Sequence, residues 1–209
     1  MISYRFIAFF CLFASSIGMP FASYADWPQF LGPNRDGISA EKGLARSWPE
    51  AGPRELWSVS VGPGYAGAAV RDGEVYVLDR KEDTTDILRC FALADGKELW
   101  SYSYDAPGKF GHNGSRNPPT VDEKYVYSVG MMGDFLCTDR KTHLPVWRKN
   151  FAADFKTDLP NWGVAQSPLL YKNLVIVAAQ APDAFFAAYD REKGDLAWKS
   201  PGLGLPRYV

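Results

Sequence analysis

The chain has 209 residues, of which 46% are hydrophobic and 22% are charged, and its formal net charge is -1. A hydrophobic fraction of this size can build a core and argues against an intrinsically disordered chain. A net charge this close to zero provides no long-range field that would attract nucleic acid or an anionic membrane. We therefore expect a folded protein that does not bind nucleic acid.

Residues 1–25 are typical of a secretory signal peptide. The basic residue Arg5 precedes an apolar run from Phe6 to Phe13, and small residues, Ser23 and Ala25, end the segment as at a cleavage site. The apolar run is too short to span a hydrocarbon core of about 30 Å comfortably, and the alternative is an uncleaved N-terminal anchor. The sequence thus predicts export to the periplasm or the cell exterior, with no membrane span after cleavage and a mature domain over 26–209.

The mature part of the chain repeats itself. Three windows of ten residues begin at Ala68, Pro119 and Pro168, so they start 51 and 49 residues apart. Each window holds a small residue or proline, an apolar pair, a polar turn and then a β-branched or aromatic run. A fixed period of this length is the signature of a repeat architecture.

A second repeated element follows each window and ends in a tryptophan. Its copies read CFALADGKELW, CTDRKTHLPVW and AYDREKGDLAW, and they end at Trp100, Trp147 and Trp198. Trp57, in RELWSVSV, ends a fainter earlier copy. Two elements that recur in one order are hard to obtain by chance, so we expect one structural unit per repeat.

The composition of each unit predicts strands. Runs such as EVYVLDR, KYVYSVG and NLVIVAA lack helical periodicity, and residues that favour tight turns flank them. Asp72 and Gly73 tolerate the positive φ angles of a two-residue hairpin, and Gly96 and Gly194 stand before the tryptophan strands. Each unit therefore holds two hairpins, and four strands cannot bury both faces of their sheet alone. This predicts an all-β fold, a β-propeller of four-stranded antiparallel blades, with a β-sandwich as the alternative.

The tryptophan element resembles the PQQ-like (pyrroloquinoline quinone) repeat, Ala-x-Asp-x-x-Thr-Gly-x-x-x-Trp. The last copy matches at Ala188, Asp190, Gly194 and Trp198, with Lys193 in the place of threonine. In a propeller we expect the large tryptophan to pack between blades, where it fills the gap against the neighbouring sheet.

The two earlier copies match less completely. The middle copy has Asp139 and Trp147 but carries His143 where the glycine is usual, and the first clear copy keeps Gly96 and Trp100. Three partial matches at one period support the resemblance better than any one of these copies would alone.

The segment DWPQFLGPNRDGIS, residues 26–39, resembles the opening of exported quinoprotein-like propellers of planctomycete-type bacteria, which are related in fold to the outer-membrane assembly lipoprotein. That family closes seven or eight blades, whereas this sequence holds about three. We therefore expect an incomplete propeller, a fragment of a longer one. Its open strand edge and blade face predict that residues 26–209 alone are poorly soluble or associated. A monomer with a sharp cooperative melt would contradict this.

In true quinoprotein dehydrogenases the resemblance would imply a quinone over a Ca²⁺ ion, a catalytic aspartate and a disulfide between adjacent cysteines. This chain has no adjacent pair. Cys90 and Cys137 each stand ten positions before a tryptophan, and we interpret them as buried apolar residues, with a disulfide or a reactive thiol as the alternative. We predict no catalytic residue, no metal ligand and no cofactor; PQQ and Ca²⁺ belong only to an enzymatic alternative.

The remaining candidates lie in loops. His112 and Arg116, in KFGHNGSRNPP, precede the first strand of a blade, where propellers often gather binding residues. Trp162 recurs nowhere at the blade period, so it either lines a central pocket or packs between blades. His143, in contrast, is predicted as an exposed hairpin residue. The glycine-rich run 62–67 leads into a strand and not into a helix, so it is interpreted as a turn and not as a phosphate loop.

Taken together, these features favour an exported binding or scaffold protein of the bacterial cell envelope. The alternative is an alcohol dehydrogenase dependent on PQQ, whose catalytic residues lie outside this sequence. A third possibility is recognition of an extended peptide or polysaccharide, through a blade edge or an aromatic-lined loop. Envelope proteins, peptides and polysaccharides are the partners that these hypotheses imply.

Overall fold

The computed structural model describes residues 26–203, so the predicted signal peptide lies outside the described residues. Three four-stranded sheets follow one another along the chain, and each has its strands in sequence order. All the strand pairs are antiparallel. The predicted all-β fold is confirmed: residues 26–203 form three blades of an incomplete β-propeller.

The twelve strands divide evenly among the blades. The first blade consists of β1 (Ala69–Arg71), β2 (Glu74–Lys81), β3 (Thr85–Ala92) and β4 (Glu98–Asp105). The second consists of β5 (Thr120–Val121), β6 (Tyr125–Val129), β7 (Asp134–Asp139) and β8 (Pro145–Asn150). The third consists of β9 (Leu169–Tyr171), β10 (Leu174–Val177), β11 (Ala187–Asp190) and β12 (Leu196–Lys199).

Each blade pairs its tryptophan with a small residue on the preceding strand. The register shifts directly beyond this pair in all three sheets, and the pairs are Cys90 with Trp100, Cys137 with Trp147 and Ala188 with Trp198. A bulge of this kind bends the outer strand and increases its twist. The same irregularity in every copy shows that the sequence repeat is also a structural repeat.

The turns have the backbone angles that the sequence predicts. Asp72 and Gly73 both have positive φ, 51° and 77°, which a two-residue hairpin requires. The repeat aspartates hold the later turns through their carboxylates: Asp139 accepts the backbone N–H of Thr142 at 2.7 Å and that of Lys141 at 2.8 Å. These bonds stabilise the charged form, so they lower the pKa of Asp139.

One element was not predicted from the sequence. Residues Phe151–Phe155 form a short helix, α1, between the second and third blades. The Asn150 side chain caps it by accepting the N–H of Ala153 at 3.1 Å, and Lys156 ends it in the left-handed conformation. Phe151 is buried in the core between the two blades. No helix among residues 26–203 is long and apolar enough to cross a membrane.

At two of the interfaces between successive repeats, a tryptophan forms a hydrogen bond to the next repeat. The indole N–H of Trp57 donates to the carbonyl of Leu93 at 2.8 Å, and that of Trp147 donates to the carbonyl of Arg191 at 3.0 Å. Each ring lies against a turn glycine of the following blade, since a Cβ atom on Gly96 or Gly194 would stand 2.6 Å from it. These glycines therefore provide both a positive φ angle and the room for an indole.

The contact between the first and second blades differs. Here His143 occupies the turn position with a φ of 62°, and its ring stacks on Trp100 with centroids 4.9 Å apart. The indole nitrogen of Trp100 is buried and has no hydrogen-bond partner among the described residues. His143 is exposed, as predicted. Its contact with Trp100 of the neighbouring blade was not predicted.

We expect the variant His143→Gly to raise the free energy of unfolding by about 1 kcal/mol in urea titrations. Glycine removes the cost of the left-handed backbone and lets the Trp100 indole reach a carbonyl, as the other two indoles do. The matched control is His143→Ala, which removes the ring, worth about 0.5–1.5 kcal/mol, but keeps the backbone cost. A loss of stability in both variants would show that the ring stack dominates this contact.

Arginines add a second set of contacts between blades. Arg140, which follows the repeat aspartate of the second blade, pairs with Glu74 at 2.8 Å and with Asp72 at 2.9 Å in the first blade. Arg191 holds the equivalent place in the third blade and pairs with Asp122 of the second at 3.3 Å. The blades are therefore fixed relative to each other by packing and by charge, which positions the loops between them.

Candidate functional site

Four side chains from three loops line a cavity of about 330 Å³ beside the first strands of the blades: Tyr65, His112, Arg116 and Trp162. We call them the aromatic site. The His112 and Trp162 rings are stacked with centroids 5.2 Å apart, and Tyr65 meets His112 edge-on at 6.4 Å. The guanidinium carbon of Arg116 lies 5.6 Å from the Tyr65 ring centroid. The site thus combines aromatic surfaces with one cation.

Close backbone contact between two loops positions Tyr65. Its N–H donates to the carbonyl of Ser115 at 2.6 Å, in a short parallel bridge that pairs Gly64 with Ser115. Gly114 permits this approach, because a Cβ atom there would stand 2.8 Å from the carbonyl carbon of Pro63. The two loops therefore form one unit, and the Tyr65 and Arg116 side chains leave it on the same side of the propeller.

Hydrogen bonds fix the loop that carries His112 and Arg116. The Arg116 guanidinium donates to the carbonyl of Gly114 at 2.7 Å and also to that of His112. The Asn113 amide donates to the carbonyl of Glu82 at 2.7 Å and to the Asp83 carboxylate at 2.9 Å, which ties the loop to the β2–β3 turn. The site is consequently preorganised, and little side-chain entropy is lost when a ligand binds.

Trp162 reaches the site from the connection between α1 and β9. Gly163 has a φ of 77° and packs tightly on the carbonyl of Met131, and the next N–H, of Val164, donates to that same carbonyl at 2.9 Å. These contacts hold the backbone while the indole stays 47% exposed; Tyr65 is 63% exposed. Large aromatic rings left this open beside a cavity are typical of a binding surface.

The arrangement favours recognition over covalent chemistry. The Ser115 hydroxyl is fully buried beneath the site and has no hydrogen-bond partner among the described residues, so no base activates it as a nucleophile. The exposed groups offer ring faces for stacking and guanidinium N–H groups for hydrogen bonds. Among the four lining residues there is no carboxylate.

The structure brings together all three residues that sequence analysis proposed for a ligand-binding loop, His112, Arg116 and Trp162. It adds Tyr65, which lies in the glycine-rich run interpreted only as a turn. A signal was available: Tyr65 stands three residues before the window at Ala68, as Arg116 does before the window at Pro119. Equivalent positions in a repeat protein point to the same end of the molecule.

Cys90 and Cys137 are both buried and free. Burial raises the pKa of the Cys90 thiol to about 12, and it also raises the pKa of the Cys137 thiol. Both side chains are therefore thiols and not thiolates near neutral pH, so neither is reactive there. Within residues 26–203 no group of three or more His, Cys, Asp or Glu side chains could hold a metal ion.

The geometry and the repeats define the class of protein: a β-propeller built from PQQ-like units. A family model described as "Outer membrane protein assembly factor BamB" matches residues 83–206, more than half of the 209 residues. The chain belongs to this family. No curated protein sequence gives a significant match.

Solved structures share the fold at low identity. A quinohemoprotein alcohol dehydrogenase from Comamonas testosteroni is 18% identical over 85% of this chain, with a TM-score of 0.57. The quinohemoprotein alcohol dehydrogenase ADHIIG from Pseudomonas putida HK5 is 19% identical over 70% of it, with a TM-score of 0.52. The matches cover 27% and 22% of those two enzymes, so this chain corresponds to about a quarter of their length.

A computationally designed protein, Ika4, also matches, at 15% identity over 75% of this chain and 84% of its own, with a TM-score of 0.51. Similarities this distant establish the fold alone, because one fold carries many functions.

Proposed function

We propose that the chain is an exported binding or scaffold protein of the bacterial cell envelope, and that the aromatic site holds an extended ligand. The observation that carries the proposal is the convergence of Tyr65, His112, Arg116 and Trp162 from separate loops on one cavity. Membership of a family described as an outer membrane protein assembly factor supports the envelope setting.

The chemistry of the site fits a polymer better than a compact metabolite. Trp162 and Tyr65 present open ring faces, and each can stack on a peptide bond, a side chain or a sugar ring. Arg116, held by backbone carbonyls, presents a planar cation beside them. A cavity this open cannot enclose a small molecule, whereas a chain that continues beyond it gains contacts on both sides.

The test is a titration of the purified chain with two polymer probes, reduced and carboxymethylated casein as an unfolded polypeptide and laminarin as a soluble polysaccharide. We expect at least one probe to bind, and Trp162→Ala to weaken that binding about tenfold, because a desolvated aromatic contact is worth about 1–1.5 kcal/mol. The matched control is Trp48→Ala, which removes a 61% exposed indole outside the site.

Two results would contradict the proposal. Failure of both probes to bind, or equal weakening by Trp48→Ala, would remove the aromatic site as a binding surface. Alternatively, incubation with Ca²⁺ and PQQ that gives quinone absorbance and dye-linked alcohol oxidation would establish the dehydrogenase alternative in place of a scaffold.

A further inference from the structure

A second cavity, of about 430 Å³, lies next to the aromatic site. Its walls are mainly apolar, and side chains from the opening segment and the third blade contribute Phe30, Leu169, Ile176 and Phe186. Two cations, Arg35 and Arg116, also line it, and no Asp or Glu is among its lining residues. The cavity therefore combines an apolar interior with two arginine side chains.

Arg35 is the more unusual of the two cations. Its Nε atom donates to the Gln29 side-chain oxygen at 3.1 Å and its Nη2 atom donates to the carbonyl of Pro168 at 3.1 Å, and both acceptors are neutral. Among residues 26–203 no carboxylate forms an ion pair with it, and its Nη1 atom has no hydrogen-bond partner there.

The surroundings of Arg35 favour an anionic ligand. Partial burial lowers the pKa of Arg35, since desolvation of its charge is not offset by a neighbouring anion. A guanidinium that is already oriented and partly desolvated forms a strong, charge-assisted hydrogen bond with a carboxylate. An arginine held by neutral acceptors, with one nitrogen still available, is arranged to receive such a group.

The apolar part of the cavity determines which kind of side chain the ligand can carry next to its carboxylate. Phe30 is 54% exposed and Phe186 is 40% exposed, so both rings offer surface that a ligand could cover. The volume lies at the small end of ligand sites, about 300–1,000 Å³, and fits one or two apolar residues. A single anion joined to an apolar side chain matches this combination.

Shared residues connect this cavity with the aromatic site. Arg116 lines both, and it also lines a third cavity of about 420 Å³ that includes Tyr65 and Phe30. The three cavities therefore adjoin one another around Arg116, and we call them together the groove; Trp162 lines the first of them and Arg35 lines the second. A groove of this form accommodates an extended chain with its charged end at Arg35, whereas a small carboxylic acid would occupy only one end.

We infer that this groove binds the carboxyl terminus of an extended peptide whose last side chain is apolar, with the terminal carboxylate on Arg35. Charge complementarity selects the carboxylate, the apolar walls select the last side chain, and the aromatic site holds the preceding residues. The inference rests on the proposed binding function and specifies its ligand.

The test uses a fluorescein-labelled octapeptide, glycine- and serine-rich and ending in valine and phenylalanine, either as the free acid or with an amidated terminus. We expect the free acid to bind the full chain at least about tenfold more tightly than the amide, as for loss of a charge-assisted hydrogen bond. In Arg35→Gln the two peptides should bind equally, while Arg35→Lys should keep part of the preference. Arg54→Gln, at an exposed site outside the groove, is the matched control.

The outcomes separate the inference from the proposed function. Trp162→Ala should weaken both peptides by the same factor, because it acts on the middle of the chain and not on its end. Equal binding of acid and amide to the unaltered protein, or full competition by decanoate, would overturn the inference. If casein or laminarin binds while neither peptide does, the inference fails and the binding function stands. If no probe binds, both fail.

Discussion

Replacing Trp147 by alanine is expected to lower the free energy of unfolding by about 3–5 kcal/mol, the range for large aromatic residues removed from a core. The indole is 8% exposed and lies 4.9 Å from the Phe135 ring centroid and 6.4 Å from that of Tyr189 in the next blade. It also contacts Gly194 and donates to the carbonyl of Arg191. Its removal leaves a void between two sheets that are held apart by their other contacts, so the void cannot collapse completely.

The chain offers a matched control in Trp198. It occupies the same strand position as Trp147, beside the same bulge, but it is 43% exposed. Trp198→Ala should therefore cost less than about 1 kcal/mol. Both variants would be compared by urea unfolding, followed by circular dichroism, at concentrations where light scattering shows no association. Equal losses would contradict the role assigned to Trp147 between the blades.

The blade architecture could be predicted because each of its determinants is local and is repeated. Asp72 and Gly73 fix a hairpin through their own backbone preferences, and the tryptophans recur at one distance behind their turns. Such local signals do not depend on which residues of the neighbouring blade lie opposite. α1 escaped prediction because five residues are too few to show a helical period, and its stability comes from the Asn150 cap and the burial of Phe151.

Contacts between blades were predicted less well, since they join residues far apart in the sequence. The sequence around His143 predicts only an exposed turn residue in its own hairpin. The stacking of its ring on Trp100 depends on where the first blade lies, which the local sequence does not show. The site shows the same limit. His112 and Arg116 share one loop and were recognised together, whereas Tyr65 joins them from another loop through a backbone bridge, and only its equivalence to Arg116 in the repeat could have indicated this.

The variant Asp86→Ala is expected to lower the free energy of unfolding by about 3–5 kcal/mol, because it leaves the charge of Arg80 buried and unpaired. Both side chains are fully buried, and the Arg80 Nη1 atom lies 2.5 Å from the Asp86 carboxylate. Arg80 also donates to the carbonyls of Ala106 and Gly108, at 2.6 and 2.8 Å. Neutral carbonyls cannot replace a carboxylate as the counter-ion.

The double variant Arg80→Met with Asp86→Leu separates the charge from the packing. Leucine has the branched shape of aspartate and methionine follows the arginine stem, so apolar groups fill most of the site while both charges disappear. Replacement of a whole buried pair by apolar residues is often neutral or stabilising, so the double variant should be at least about 2 kcal/mol more stable than Asp86→Ala in urea. If it is equally unstable, the loss in Asp86→Ala arises from packing beside Tyr104 and Gly130, and the unpaired charge is not its cause.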